Sequence, residues 1–254
     1  MKQVQKKGKI YIVGLGPGDR DHFSFRACKV IQEADVVAGY GLYIDLVKDL
    51  TVGKEVISKG MKKEIERANL AIEEARKGKN VAVISGGDPG VYGMAGIVLE
   101  LIDDDIEVEV VPGITAATAA AASLGAPLMH DFAIISLSDL LTPYDKIMKR
   151  ISLCSEADMA IVIYNPKSRG RQKHIVDAQR LMLEHKSAET PVGLVRNAKR
   201  GEEEIVTTTL GKMLEEEIDM LTVVLVGNSE TRMQNGKMIT PRGYHKKEEY
   251  SIKN

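Results

Sequence analysis

Short apolar runs alternate with amphipathic stretches along the first half of the chain. Residues 9–13 (KIYIV) form an apolar run that reads as a strand. Over 23–34, Phe23, Ala27, Val30, Ile31 and Ala34 recur at helical spacing. A second strand is expected at 35–39, a short helix at 42–50 and a short strand at 54–58. Over 62–77, Ile65, Ala68, Ala71, Ile72 and Ala75 share one stripe, and Gly78 stands at the C-terminal end, which predicts an amphipathic helix. The run 81–84 predicts a buried strand, 94–101 a helix, 107–111 a strand and 115–122 an alanine-rich helix. Such alternation predicts a mainly parallel sheet with helices on both faces.

The pattern continues beyond Pro127. Strands are expected at 133–137, 159–164, 192–195 and 221–226, and helices at 143–154, 174–183 and 211–217. The threonine-rich alternation at 203–208 predicts an edge or antiparallel strand, so this second sheet is expected to be mixed. Ile239 starts a last short strand, and the charged tail 245–254 is expected to fray. The expected fold class is therefore α/β, with two α/β domains, 1–124 and 125–254.

Composition narrows the function. With 44% hydrophobic and 28% charged residues the chain can bury a core, and a formal net charge of -1 gives no reason to expect nucleic acid as partner. No apolar core follows the basic N-terminal residues, so no secretory leader is expected. The weakly polar stretch 113–126 is too short to span a bilayer, so no membrane partner is expected. Cys28 and Cys154 match no metal or redox spacing, and the five histidines form no ligating pair, so no metal is expected. A cytoplasmic location fits these features.

The stretch most suggestive of chemistry is SGGDPGVYG at 85–93, where a predicted buried strand runs into glycines, Asp88 and Pro89. Open α/β sheets bind ligands at such strand ends. Asp88 offers a carboxylate to ribose hydroxyls or a cation; the plain alternative is a tight turn with Asp88 as a helix cap. The loop GLGPGD at 14–19 invites a dinucleotide reading, but Asp19 stands where the fingerprint needs glycine and Pro17 where the phosphate-binding helix should begin. No phosphate-binding loop of the G-x-x-x-x-G-K-[ST] type is present. Further strand ends offer backbone N–H groups and Thr115, then Tyr164 and Asn165, then Arg196 and Asn197. A parallel sheet would gather them into a cleft of apolar walls and few charges, which suits adenine and ribose better than a triphosphate.

GLGPGD, ISGGDPGVYG, VPGITA and YNP, in that order over roughly residues 8–244, resemble the tetrapyrrole methylases, the class III S-adenosylmethionine methyltransferases. The segment HDFAIISLSDLLTP at 130–143, with YNPKS at 164–168 and RNA at 196–198, is similar to the branch that methylates C17 of precorrin-3B or cobalt-factor III in cobalamin synthesis.

That resemblance implies two α/β domains enclosing a cleft in which S-adenosylmethionine lies folded, leaving S-adenosylhomocysteine as product. It implies that Gly87, Asp88, Val91 and Tyr92 lie along the cofactor, that Thr115 and Ala116 contact its methionine or adenine end, and that Tyr164, Asn165, Leu194 and Val195 line the adenine side. It places Gly16, Pro17 and Asp19 on the tetrapyrrole side and implies a homodimer. The substrate's peripheral carboxylates need cations, for which Arg196, Lys167, Arg169 and Arg171 are candidates. A ring contraction accompanying methylation would move protons. His130 is the candidate acid–base group, with Asp131 to orient it and Ser136 and Asp139 to hydrogen-bond the substrate; the plain alternative for His130 is an ordinary loop histidine. Rival readings are methylation at another corrin carbon, or of a protein or ribosomal RNA, and a non-catalytic protein that binds the same ligands.

Overall fold

The computed structural model describes residues 7–103 and 105–244. The charged tail expected to fray lies outside them, as do residues 1–6 of the N-terminal stretch in which no leader is expected. The chain divides into two compact units, residues 1–116 and 117–254.

The first unit alternates strand and helix: β1 (Lys9–Gly14), α1 (Phe25–Glu33), β2 (Val36–Tyr40), α2 (Gly41–Leu46), β3 (Glu55–Lys59), α3 (Glu64–Arg76), β4 (Val81–Ser85), α4 (Met94–Leu101) and β5 (Glu107–Val111). Its sheet has the order β3-β2-β4-β1-β5 and every pairing is parallel. Period two along the strands sorts their side chains onto two faces. On one face Ile10, Ile12, Val36, Ala38, Val81 and Val83 pack against Ala68, Ala71, Ile72 and Ala75 of α3 and Met94, Ala95 and Val98 of α4. On the other, Val13, Val37, Ala82 and Ile84 pack against Ala27, Val30 and Ile31 of α1. Because both faces are covered, β4 is buried at all five positions, which is why it reads as an unbroken apolar run. The helix α1 starts where the Ser24 hydroxyl accepts the Ala27 N–H at 3.1 Å.

The stripe predicted on α3 is rotated at its start. Ile65 is 62% exposed, while Arg67 and Glu74 are buried alongside the alanines. Small side chains set the helix close to the sheet, and the long polar residues fold their stems into the remaining space.

The second unit carries α5 (Ala116–Leu124), which starts at the boundary, then β6 (Gly125–Ala126), β7 (Phe132–Ser136), α6 (Tyr144–Glu156), β8 (Ala160–Tyr164), α7 (Lys173–Leu183), β9 (Pro191–Arg196), β10 (Glu204–Thr209), β11 (Thr222–Val226), β12 (Arg232–Gln234) and β13 (Lys237–Ile239). The main sheet, β10-β9-β11-β8-β7, is mixed: β7 and β8 are parallel, β11 runs antiparallel to β8 and β9, and β10 is an antiparallel edge. Ile161, Ile163, Val192, Leu194, Val224 and Val226 of this sheet face Ile147, Met148 and Ile151 of α6 and Ile175, Ala178 and Met182 of α7. Gly193 leaves room for Leu124 on the opposite face; a Cβ there would stand 2.3 Å from a Leu124 methyl.

Two expectations are revised. The helix expected at 211–217 is only the single 3-10 turn Met213–Glu215. The last strand ends, rather than starts, at Ile239, and it closes a hairpin with β12 before pairing in parallel with β6. Asn235 and Gly236 have φ of 51° and 72°, the backbone a two-residue hairpin turn requires.

Candidate active site

In the first unit the three glycine-bearing loops meet at the carboxyl ends of the strands. Gly16 and Gly87 exchange backbone hydrogen bonds at 3.1 and 2.7 Å, joining the loops after β1 and β4. The Gly113 N–H, after β5, donates to Asp88 Oδ2 at 3.0 Å, and the Gly90 N–H donates to Oδ1 at 2.8 Å. Asp88 is thus a clamp between its own loop and the next, and its remaining lone pairs are what it can offer a ligand. The loops approach so closely that a Cβ on Gly113 would stand 2.2 Å from the Gly87 carbonyl oxygen. One on Gly14 would stand 2.7 Å from the Gly113 nitrogen. Gly87 itself has φ of 67°, and above it Thr115 Cα and the Ala116 nitrogen lie at ordinary contact distance from a virtual Cβ. Gly87, Thr115 and Ala116 therefore share one small backbone-lined surface.

Val91 is half-buried and Tyr92 is 61% exposed with φ of 55°, a left-handed conformation unfavourable for a non-glycine residue. In the loop after β1, Gly16 is buried, Pro17 is half-buried, and Asp19 is exposed with no side-chain capping bond to the following turn.

In the second unit β7, β8 and β9 run in one direction, so Ser136, Tyr164, Asn165 and Arg196 stand at the same end of the sheet. Tyr164 Oη accepts the Ala117 N–H at 2.6 Å. Asn165, with φ of 52°, donates from Nδ2 to Ser136 Oγ at 2.9 Å, and its carbonyl accepts from Arg171 Nη2 at 2.8 Å. Leu194 and Val195 are only 2% and 0% exposed in a strand paired on both sides, so neither side chain is open to a ligand. Arg196 is engaged with its own unit: Nε donates to Asp219 at 2.9 Å and Nη1 to Glu204 at 2.9 Å, so its guanidinium is not free for a substrate carboxylate.

The four residues expected to form one catalytic set are divided. Ser136 and Asp139 lie at the carboxyl end of β7. His130 and Asp131 precede the strand and lie at its other end, where a cavity of about 490 Å³ is lined also by Asp158, Asn228 and Glu230. His130 Nε2 stands 3.8 Å from Glu230. The strand from Phe132 to Ser136 alone spans roughly 13 Å, and His130 lies beyond its far end.

Asp139 has a partner that local pattern did not reveal. His174 Nε2 lies 2.9 Å from Asp139 Oδ2, and that hydrogen bond holds the carboxyl below its ordinary range. The Tyr144 ring packs edge-on against His174 at 4.9 Å, and its hydroxyl donates to Asp177 at 2.6 Å. That bond, aided by burial, pushes the Tyr144 phenol up to about 12. Asp139 and His174 are 35 residues apart, so only the parallel pairing of β7 with β8 brings them together.

Comparison with known proteins places this geometry. Residues 9–214 match the family described as Tetrapyrrole (Corrin/Porphyrin) Methylases. A Salmonella typhimurium protein named "Probable cobalt-factor III C(17)-methyltransferase" is 53% identical over 238 residues, which cover 92% of this chain and 99% of that one. A Priestia megaterium "Cobalt-factor III methyltransferase" is 49% identical over 248 residues, covering 95% of this chain and 46% of the relative, so the chain spans about half of that protein's length. The solved structure of the methyltransferase CobJ superposes with a TM-score of 0.88 at 34% identity, covering 92% of this chain and all of that one. A Thermus thermophilus uroporphyrin-III C-methyltransferase, solved with S-adenosyl homocysteine, gives 0.67 at 27% identity over 87% of this chain and 92% of that one. The fold, the order of the glycine loops and these matches together make the chain a member of the tetrapyrrole (corrin/porphyrin) methylases.

Proposed function

We propose that this chain is an S-adenosylmethionine-dependent C-methyltransferase of the cobalamin pathway, methylating C17 of cobalt-factor III or precorrin-3B with the associated ring contraction. The observation that carries the reading is the 53% identity to the Salmonella relative, which extends over nearly the whole length of both chains.

The loops of the first unit suit the proposed cofactor. Their close-packed glycines bring backbone polar groups together, and Thr115 Cα and the Ala116 nitrogen lie at ordinary contact distance from a virtual Cβ on Gly87. Such a lining can hold adenosine and the amino-acid end of the donor through neutral hydrogen bonds without quenching a sulfonium charge. We assign Gly87, Asp88, Val91, Tyr92, Thr115 and Ala116 to this task and, on the family resemblance, Tyr164 and Asn165. S-adenosylmethionine would supply an activated methyl group on sulfur. The task of this chain is to hold a carbon nucleophile in line with that methyl. Positioning of this kind is worth on the order of 7–11 kcal/mol. Gly16, Pro17 and Asp19 are assigned to the tetrapyrrole. Ser136 is assigned to hydrogen-bond the substrate at the carboxyl end of β7, and Asp139 to hold the adjoining loop through His174. The reading carries a cytoplasmic homodimer, on the family resemblance.

The test is incubation of the purified chain with methyl-labelled S-adenosylmethionine and cobalt-factor III, followed by absorbance and mass spectrometry. Label at C17 of a ring-contracted product is expected. Label at another carbon would move the chain to a different step, and a tetrapyrrole left unlabelled would overturn the reading.

A further inference from the structure

The loop from β7 to α6 carries two consecutive leucines with no part in the core: Leu140 is 69% exposed and Leu141 is 91% exposed. A connection of this kind ordinarily carries polar or turn-forming residues. Lone exposed leucines need no explanation, but these two sit on a loop that is held in place. At its base, Asp139 is bonded to His174 at the start of α7. One step earlier, Ser136 Oγ accepts both the Ser138 N–H at 3.2 Å and Asn165 Nδ2 at 2.9 Å. The leucine loop is therefore tied twice to the segment that follows β8.

That neighbouring segment is cationic. Lys167, Arg169 and Arg171 fall within five residues, 167–171, and Arg171 is close enough to Asp139 to help keep its carboxyl ionised. Among the described residues Lys167 and Arg169 enter no ion pair. An apolar tip after β7 and cations after β8, on loops tied to each other near their bases, match a flat apolar ring with carboxylates on its rim.

We propose that Leu140 and Leu141 bind the face of the tetrapyrrole macrocycle while Lys167 and Arg169 take its peripheral carboxylates, with Asp139 and His174 as positioning residues that hold the leucine loop ready. This rests on the function proposed above and assigns that substrate a specific contact on the second unit. Because the loop is fixed before the ligand arrives, little ordering entropy is lost on binding.

The experiment is an absorbance titration of the full chain with cobalt-factor III, without methyl donor, for wild type, Leu140→Ser/Leu141→Ser and Lys167→Ala/Arg169→Ala. The leucine variant should bind the tetrapyrrole roughly tenfold or more weakly. Its melting temperature and its affinity for S-adenosylmethionine should stay as in wild type, since both side chains lie at the surface. The cation variant should lose affinity most at low salt. His174→Ala should show a milder loss of tetrapyrrole affinity, with donor affinity kept. Unchanged tetrapyrrole affinity in the leucine variant would overturn the proposal. So would a changed sedimentation coefficient with affinity intact, which would make the loop a contact between copies of the chain. Failure of the wild-type chain to bind cobalt-factor III would overturn both this proposal and the function it rests on. Wild-type binding and turnover with an unaffected leucine variant would overturn this proposal alone.

Discussion

The Gly113 N–H donates to Asp88 Oδ2 at 3.0 Å, fastening the loop after β5 to the loop after β4. The other carboxylate oxygen closes Asp88's own loop through Gly90. A partly exposed hydrogen bond of this kind contributes about 0.5–1.5 kcal/mol net, and Asp88 accepts two. Asp88→Ala should therefore lower stability by about 1–3 kcal/mol in chemical denaturation and weaken S-adenosylmethionine binding in calorimetry. Asp88→Asn keeps one acceptor oxygen and should recover part of both losses. Stability and donor affinity both equal to wild type in Asp88→Ala would show that the clamp has no role.

The glycines divide into those the site needs and those it does not. A Cβ on Gly113 would stand 2.2 Å from the Gly87 carbonyl oxygen and 2.8 Å from the Gly14 carbonyl carbon, both backbone atoms that cannot swing aside. Gly113→Ala should cost about 1–3 kcal/mol as the loops part, with a matching loss of donor affinity. Gly96 lies in α4 with nothing within 4 Å of its virtual Cβ. Gly96→Ala should stabilise the chain by roughly 0.5–1 kcal/mol through helix propensity alone. Equal effects from the two substitutions, in the same denaturation assay, would contradict this reading of the loop junction.

What the sequence could disclose follows the range of the forces involved. The parallel sheet of the first unit was legible because strands buried on both faces, such as the one containing residues 81–84, are continuous apolar runs between amphipathic helices. The three loops were legible because backbone-to-backbone contact demands glycine at Gly14 and Gly113, and a φ of 67° favours it at Gly87. The hairpin around Asn235 and Gly236 carried the usual two-residue turn signal, but its flanking strands are only three residues long and show little alternation. Burial of Arg67 and Glu74 in place of Ile65 was not legible, since helical spacing allows more than one stripe when the apolar residues are mostly alanine. The separation of His130 from Ser136 follows from their places on either side of one strand, whereas the bond between Asp139 and His174 depends on which strand ends coincide. No local pattern records that.

Acid should loosen the first unit through Glu109. Arg26 donates to both of its carboxylate oxygens at 2.8 and 2.7 Å, and Lys9 lies 3.0 Å away. These bonds, Arg26 first, hold the Glu109 carboxyl down to about 2 from its ordinary 4.5. The unfolded chain thus binds this proton more readily than the folded one, so stability rises with pH over the interval. The contribution is complete above pH 4.5 and is lost as pH falls toward about 2. Solvent reaches 44% of the Arg26 side chain and 29% of that of Glu109, so screening keeps the contribution to about 1 kcal/mol or less. Urea unfolding of Glu109→Gln should show a lower midpoint than wild type at neutral pH, with the gap closing as pH falls toward about 2. A gap that stays constant over that range would refute the ion-pair origin.

The two ends of β7 make opposite predictions for turnover. Ser136 accepts from Asn165 and stands level with Tyr164 at the carboxyl end, next to Asp139 and the leucine loop. His130 stands at the amino end, beside Glu230 and the Asp158 cavity. The roughly 13 Å of strand between them is too far for both to act on one reacting carbon. Ser136→Ala breaks the bond that fixes the Asn165 amide and should reduce turnover of cobalt-factor III by about tenfold or more, in line with loss of a positioned polar group. His130→Ala should retain methyl transfer within about twofold, since neither proton delivery nor substrate contact at the Ser136 end passes through it. Single-turnover assays with labelled donor separate the two. Loss of methyl transfer in His130→Ala with Ser136→Ala active would place the reacting carbon at the amino end of the strand, and the assignments at the carboxyl end would then fail together.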